Sequence, residues 1–532
     1  MITLHGARAR PRDRVQTQSD KTPIQQVTSI LAPIAGWVTN ENLATQTPNA
    51  AQVLDNLWPT SKTVRPRGGY EARVDLDADC TGLFEYSAGD TFIATDETKI
   101  YTFTAGTADG TTLTAAVTGR ASGDWQGVET QNDGGSFYTL VNGVDNLQLY
   151  DGSTHYTVTG ASSPYAITGT GLGGTEDLSY VWNYRERQWF VEAGTMNAWY
   201  LGVNSIAGTA TKFPIAGIFN KGGSLHSGTT YSSDSGSGLD DLIVFLTTQG
   251  EFALYSGDPS GSISLIGVYE IGEPISRDPF IRVGGDVLIA TKAGLIPISA
   301  AVQKGPAQLK SVSVSLPIER EWEYWQRFQP SGWRVAKWAS ENMAVIGVPV
   351  TDEPFCFVVN LETGAWARFT GWKVDALAVL GDSLHFATGV DIFEADKGGQ
   401  DNGSSFVCKM RGVYSDFGSA AVKSSKRVRG VFSANVDFAP QFSIAVDYGG
   451  TFPTAPNAAA ATALDAGVWD AATWDVASWG EYGANKTGLT DWHIVQGVGL
   501  SHAPQMQITS GSSVKLDAEL IRMDVTYTTG DT

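Results

Sequence analysis

One strand-turn-strand pattern recurs along residues 75–400 and limits what this chain can fold into. Each unit has a strand of alternating apolar or aromatic residues, a turn with Gly or Asp, and a second strand. Two of the turns contain Asn142-Gly143 and Gln249-Gly250, which are typical of β-hairpins. The units begin at Asp90, Gly135, Leu178, Asp240, Gly284, Glu341 and Gly381. Their starts are ~40–60 residues apart, the period of four-stranded propeller blades.

The repeat predicts an all-β chain with a β-propeller of six or seven blades over residues 75–403. The first and last units can share one blade and so close the ring. Two stacked β-sandwiches are the alternative, but sandwiches rarely repeat a hairpin so evenly. Composition agrees, because 60 Gly and 21 Pro in 532 residues suit many turns and 42% apolar residues can fill a large core. This length predicts two or more domains.

The segments outside the repeat predict further parts. Residues 1–74 are predicted to form an arm, a helical turn and a strand leading into the propeller, and residues 404–532 a separate β-sandwich-like domain. Inside the propeller, residues 315–328 predict a helix, because Pro317 begins it and Trp322 and Trp325 fall on one face. We expect that face to pack on a blade; docking on a neighbouring subunit is the alternative.

The charge is strongly negative and unevenly distributed. The net charge is −20, yet residues 1–74 carry +4, so the rest of the chain carries −24. Such acidity argues against a protein that reads DNA sequence, which must neutralise phosphates. It does not argue against a DNA conduit, in which sticking would be harmful. Solubility alone is the simpler explanation of the acidity.

Motifs for metal, cofactor or nucleotide binding are not predicted. Cys80, Cys356 and Cys408 are far apart and without a C-x-x-C pair, which favours folding in a reducing cytoplasm. The D-x-D-x-D run at residues 75–79 lacks the later positions of a calcium loop and predicts a solvated turn. The G-x-G-x-x-G at residues 169–174 precedes a strand rather than a helix, so it predicts a linker.

Catalytic residues are not predicted either. The segment beginning at Ser232 resembles the start of a sialidase Asp box, but the closing aromatic residue is missing and the box occurs once. The start of the chain has arginines but no apolar signal core, and no run of ~18 apolar residues predicts a membrane span.

Three groups of residues are candidates for contacts with partners. The first is the basic tip of the N-terminal arm, for which a mobile terminus ordered by a neighbour is favoured over direct DNA contact. The second is a basic cluster that is either a solvated strand edge or a contact with an acidic subunit. The third is a series of tryptophans spaced by five residues, which fits neither a helix nor a strand face. The groups are Arg8, Arg10, Arg12 and Arg14; Lys423, Lys426, Arg427 and Arg429; and Trp469, Trp474 and Trp479.

Residues 43–70 hold the most informative local segment. Thr47 is a candidate N-cap, Pro48 follows at the first helical position, and the apolar spacing from Ala50 to Leu57 predicts a short helix that Trp58-Pro59 ends. The segment then continues through RPRGGY. It resembles the start of the tail nozzle, or tail hub, proteins of short-tailed phages, in which "LDN-aromatic-P" and "R-x-G-Y" introduce a β-propeller. The W-D, W-D, W-G spacing within residues 464–480 resembles a segment near the end of many of these proteins.

The resemblance implies a non-enzymatic virion protein without cofactors, made in the host bacterial cytoplasm. In that family six copies form a ring beneath the portal and the head-to-tail adaptor. The channel of the ring retains packaged double-stranded DNA and conducts it at ejection, while fibres, spikes or a plug attach outside or at the tip. The alternatives are a receptor- or glycan-binding propeller of the virion and, with less support, a propeller glycosidase.

Overall fold

The computed structural model describes residues 25–232, 241–434, 438–458 and 486–530. Within these residues, seven antiparallel sheets of three or four main strands follow one another along the chain and form blades 1–7 of a β-propeller. The strands are Gly82–Tyr86, Thr91–Thr95 and Ile100–Thr104 in blade 1; Gln126–Asn132, Gly135–Val141, Gln148–Tyr150 and His155–Thr157 in blade 2; Leu178–Tyr184, Arg187–Glu192, Asn197–Tyr200 and Thr211–Pro214 in blade 3; Leu225–Ser232, Asp241–Thr247, Glu251–Gly257 and Ile263–Glu270 in blade 4; Phe280–Val283, Asp286–Thr291 and Gly294–Pro297 in blade 5; Arg334–Trp338, Met343–Gly347, Phe355–Asn360 and Trp366–Thr370 in blade 6; and Ala376–Leu380, Ser383–Thr388, Asp391–Ala395 and Tyr70–Asp75 in blade 7.

The blades form a closed ring. The first strand of each blade lies against the next blade, and the first strand of blade 7 returns to that of blade 1. The outer strand of blade 7, Tyr70–Asp75, comes from before blade 1 in the sequence and pairs antiparallel with Asp391–Ala395. The predicted propeller is therefore confirmed, and its last blade is completed by an earlier part of the chain. Two short parallel pairs, Thr111–Thr112 with blade 7 and Ile167–Thr168 with Gly208–Thr209, lie outside the main strands.

The predicted inserted helix is present as Glu319–Phe328, directly after the 3₁₀ turn Leu316–Ile318. Trp322 is buried, and its indole N–H donates to the Thr291 carbonyl at 3.0 Å. Its ring lies 5.0 Å from that of Trp333, centroid to centroid. The helix thus packs on blades 5 and 6, as expected. The other helices of the described chain are α-helices Ile298–Gln303 and Leu309–Val312 and 3₁₀ turns Ser87–Gly89, Thr175–Asp177, Ala216–Ile218 and Pro306–Gln308.

The helix predicted within residues 47–57 is wrong. This segment forms strands Ala50–Asp55 and Leu57–Pro59, separated by Asn56 in the left-handed backbone region at φ 58°. Ala50–Asp55 lies between Gly36–Trp37 and Phe406–Gly412 and bonds to both. Sheet neighbours on both sides satisfy its backbone, so tertiary pairing overrides the helical spacing of its alanines and leucines.

Two sheets form the sandwich of the C-terminal part. In the first sheet, Lys423–Ala434 pairs on one side with Lys486–Leu489 and His493–Gly499 and on the other side with Ala518–Thr529. The far side of Ala518–Thr529 pairs with Gln25–Leu31 and with Val64–Pro66, and Val64–Pro66 pairs in turn with Leu57–Pro59. The second continues the sheet of blade 6 through Gly36–Trp37, Ala50–Asp55, Phe406–Gly412, His502–Ser510 and Gln441–Val446. One apolar core runs from blade 6 into the space between these sheets. The propeller and the sandwich therefore share a sheet and a core.

Candidate interaction surface

The RPRGGY segment forms a buried junction between the propeller and the sandwich. The Arg67 guanidinium makes two hydrogen bonds to the Asp401 carboxylate, at 2.7 and 2.8 Å, and a third to the Asn56 side-chain oxygen at 2.9 Å. It also lies 3.9 Å from the centre of the Phe406 ring. Arg67 is 4% exposed, so its charge is compensated inside the protein.

Asn56 completes this junction. Its amide nitrogen donates to the Val407 carbonyl at 2.8 Å and to the Thr370 hydroxyl at 2.7 Å, while its side-chain oxygen accepts from the Thr370 backbone N–H. Blade 6 and the sandwich are thus joined through one side chain. The residues of the "LDN" and "R-x-G-Y" resemblance serve packing here, and they leave little surface for a partner.

An exposed sheet face lies elsewhere in the sandwich, and we call it the outer sheet face. It is the solvent-facing side of four neighbouring strands, His493–Gly499, Lys423–Ala434, Ala518–Thr529 and Gln25–Leu31. The two edge strands carry apolar residues with unusually high exposure: Ile494 80%, Val498 64%, Val27 61% and Leu31 54%. The register places Ile494 beside Arg427, Arg427 beside Thr526, and Thr526 beside Val27. Exposed apolar side chains beside cations on one face make this face a candidate interaction site.

Charged side chains occupy the middle of this face. Asp524 is buried between Arg429 and Arg522, whose Nε atoms donate to it at 3.0 and 3.1 Å, and it also accepts from the Ser29 hydroxyl at 2.7 Å. Burial raises the pKa of Asp524, but these hydrogen bonds outweigh burial and leave the pKa lowered. Arg429 also lies 4.4 Å from the centre of the Trp492 ring.

The predicted basic cluster divides into one buried and three accessible cations. Lys423 is fully buried, and its ammonium donates to the carbonyls of residues 419, 421 and 500 at 2.6–2.9 Å. Its grouping with surface cations is therefore wrong, because the loop carbonyls around it replace water. Lys426 and Arg427 are exposed at a β-bulge of the outer sheet face, and Arg429 is half-buried beside them. Together with Arg522, Asp524 and the half-buried Glu519 of the same face, the accessible cations give this face a net charge of +2.

The other predicted contact residues lie outside the described residues. These are Arg8, Arg10, Arg12 and Arg14 of the arm and Trp469, Trp474 and Trp479. Part of the predicted arm, Gln25–Leu31, is a strand that belongs to the outer sheet face.

The loop at residues 276–278, which precedes blade 5, contacts blade 3 and a residue beside blade 2. Arg277, which precedes blade 5, donates to the Ser179 carbonyl of blade 3 and forms an ion pair of 3.3 Å with Asp124 beside blade 2. Asp278 accepts from the Tyr180 hydroxyl of blade 3 at 2.9 Å. Although its side chain reaches solvent, the surrounding protein raises the pKa of Asp278, and the hydrogen bond from Tyr180 offsets this in part. The loop thus connects blades that are not neighbours in the ring.

A cavity of about 240 Å³ remains beside this loop. Its lining includes Arg277, Asp278, Arg334, Glu85 and Gln126. Arg334 donates to the carbonyls of residues 81 and 375 at 2.9 and 2.8 Å, and burial lowers its pKa. Burial, followed by the neighbouring Glu129, raises the pKa of Glu85. The cavity is polar and small.

Sequence reasoning missed both the loop at residues 276–278 and the apolar edges of the outer sheet face. Alternation in the strand that carries Ile494 and Val498 predicts two faces but cannot say which face is covered. Across the described ranges, no three His, Cys, Asp or Glu side chains are grouped to hold a metal ion. No helix in the same ranges is long and apolar enough to span a membrane.

No protein-family model and no curated protein matches this chain. Solved structures resemble it at low identity, among them these three. Sqt1 of Saccharomyces cerevisiae aligns at 10% identity and TM-score 0.36, over 60% of this chain and 83% of that one. The Cps50 (Swd1) β-propeller domain of Myceliophteria thermophila aligns at 10% identity and TM-score 0.37, over 60% of this chain and 96% of that one. BBS1N, in its complex with ARL6DN, aligns at 10% identity and TM-score 0.36, over 62% of this chain and 97% of that one.

Proposed function

We propose that this chain is a virion structural protein that forms the tail nozzle or hub ring of a short-tailed phage. The observation that carries the proposal is the outer sheet face, where exposed apolar residues flank cations on an otherwise acidic protein. A face of this kind suits permanent contact with another subunit rather than catalysis. The resemblance of residues 43–70 to nozzle proteins supplies the specific identity of the assembly.

In this proposal the DNA passes between copies of the protein. The loop at residues 276–278 and the first strands of blades 1, 2, 6 and 7 enclose a cavity of about 240 Å³, which cannot admit a duplex roughly 20 Å across. The conduit must therefore lie on the common axis of several subunits. Heterologous contacts that close by rotation generate such rings.

The acidity of the chain suits a conduit. Six copies, each with a net charge of −20, give the ring a net charge of −120. Carboxylates facing the channel would repel DNA phosphates and keep the duplex from sticking as it slides. The shared core of the propeller and the sandwich makes each subunit a rigid wall element.

The remaining partners in this proposal are the head-to-tail adaptor above the ring and the fibres, spikes or plug outside it or at its tip. Arg8, Arg10, Arg12 and Arg14 are proposed to pair with an acidic adaptor surface. Alanine substitution of these four arginines should weaken docking to the adaptor in a salt-sensitive way; unchanged docking would exclude that role.

Native mass spectrometry with negative-stain class averages of the purified protein tests the proposal. We expect a six-fold ring with a central hole ~20–40 Å wide, enough for a duplex. A trimer would instead favour a spike or receptor-binding protein, and a protein that stays monomeric with and without its adaptor would refute the ring.

The cavity beside residues 276–278 favours a second candidate, a receptor- or glycan-binding propeller of the virion. Its polar lining, with Glu85, Gln126 and Arg334, offers donors and acceptors for sugar hydroxyls. A binding screen on host surface polysaccharides separates the two candidates, because only this one requires specific binding that an Arg334→Ala change abolishes.

A further inference from the structure

The outer sheet face has a complementary surface on the same chain. We propose that it docks head-to-tail on a second copy, against an acidic surface at the junction of blades 7 and 1 that we call the acidic edge. The acidic edge consists of Asp75, Asp77, Asp79, Glu97 and Asp391, beside the exposed Val390. The inference rests on the proposed function, since it names the contact that would build the ring.

The acidic edge carries uncompensated charge. Asp75 and Asp391 lie directly opposite each other on neighbouring strands, an arrangement that is unfavourable for like charges. The Thr112 hydroxyl donates to Asp75 at 2.7 Å, and Lys99 forms an ion pair with Asp77. Within the described ranges, the other four carboxylates have no cation within ion-pair distance. Cations from another molecule would relieve this repulsion.

The two surfaces are placed so that one copy can offer each to a different neighbour. Asp75 pairs with Asp391 at one end of blade 7, whereas Tyr70 pairs with Ala395 at the other end. At that other end the chain joins the sandwich, where Lys515 forms an ion pair of 2.6 Å with Asp396. The acidic edge therefore lies at the end of blade 7 away from the sandwich that carries the outer sheet face. Different patches that meet across copies make a heterologous contact, which forms a ring when it closes.

The charges of the two surfaces are opposite in sign. The outer sheet face contributes a net charge of +2 and apolar side chains at its rims, while the acidic edge contributes five carboxylates, the paired Lys99 and Val390. Lys426 and Arg427 are the most available cations, because Lys426 bonds only the Ser424 hydroxyl and Arg429 and Arg522 already hold Asp524. They are the side chains whose reversal should disturb the contact without disturbing the fold.

Charge exchange tests the contact. Sedimentation velocity and native mass spectrometry should show that K426E/R427E and D79K/D391K each weaken self-association by more than about a hundredfold, because like charges would then face each other. The variant with all four changes should recover association to within about tenfold of the wild type, since every contact in a heterologous ring is then swapped.

Two controls separate this contact from general effects of charge. K304E/R320E changes two exposed cations elsewhere and should leave association unchanged. K426E/R427E combined with D133K/E362K restores the wild-type net charge without restoring complementarity, and it should stay dissociated. A ring that persists in both reversal variants, or an exchanged variant that fails to recover, would overturn this contact while leaving the proposed ring standing. A wild type that never self-associates would overturn both.

Discussion

Arg67 and Arg427 lie in two regions with different roles: the junction that holds the propeller and the sandwich together, and the outer sheet face, which is available to a partner. Arg67 lies in the junction between propeller and sandwich with a carboxylate, an amide and an aromatic ring around it. Arg427 lies on the outer sheet face, exposed beside Ile494 and Thr526. The charge of Arg67 is neutralised inside the folded protein, whereas the charge of Arg427 remains available for association.

The largest effect is expected at the junction. Arg67→Ala removes the buried cation that pairs with Asp401, whose side chain is only 10% exposed, so we expect the free energy of unfolding to fall by about 3–5 kcal/mol. Urea denaturation followed by tryptophan fluorescence measures it. Arg427→Ala is the matched control and should change stability by less than about 0.5 kcal/mol. Equal losses in the two variants would remove the distinction.

Asp524 tests the centre of the outer sheet face. Replacing it with Asn removes a carboxylate that accepts from Ser29 and Arg429, which should cost about 1.5–3 kcal/mol at neutral pH. Its pKa is lower in the folded state, so this contribution is present above the unfolded pKa near 3.8 and is lost as the pH falls through the folded value. Denaturation at several pH values should show the difference from wild type shrinking below about pH 4. A constant difference would mean that the carboxylate charge is not responsible.

Lys423 and Lys426 contrast a buried with an exposed member of one predicted cluster. Lys423→Ala leaves three carbonyls without their shared donor and should reduce stability by about 1–3 kcal/mol. Lys426→Ala should change it by less than about 0.5 kcal/mol. Thermal unfolding of the two variants in parallel measures both effects. If Lys423→Ala does not change stability, Lys423 behaves as a surface cation.

The smallest effect on stability is expected at Ile494. This side chain is 80% exposed, so Ile494→Ser should alter the free energy of unfolding by less than about 0.5 kcal/mol. Self-association, followed by sedimentation, should nevertheless weaken. Val345→Ser, at a fully buried position of blade 6, is the comparison and should destabilise the fold itself. If the Ile494→Ser variant self-associates as strongly as the wild type, the edge strand that carries Ile494 is not part of the contact.

Local pattern predicted some elements well and failed where distant partners decide. The helix Glu319–Phe328 could be predicted because its apolar stripe and the proline that precedes it lie within one short segment. Ala50–Asp55 was not, because its strand partners include Phe406–Gly412, more than 300 residues away in sequence. Lys423 looked like its neighbours because sequence does not show which lysine is surrounded by loop carbonyls.

The candidate surface was found only in part. Lys426, Arg427 and Arg429 stand out by sequence as cations in an acidic chain. Val27 and Leu31 join them only because Gln25–Leu31 pairs with Ala518–Thr529, from the opposite end of the chain. Such long-range pairing leaves no local trace in either segment.

The amino-acid sequence alone indicates an all-β protein with a propeller, since recurring alternation and hairpin turns are local and are repeated along the chain. It also determined the acidic character and the place of one helix. Long-range contacts set the rest: an N-terminal strand completes blade 7, Arg67 is enclosed, and residues 276–278 join blade 5 to blade 3. The physical reason is that burial depends on which segments meet in space, and the residues that meet at these places are hundreds of positions apart or on non-adjacent blades.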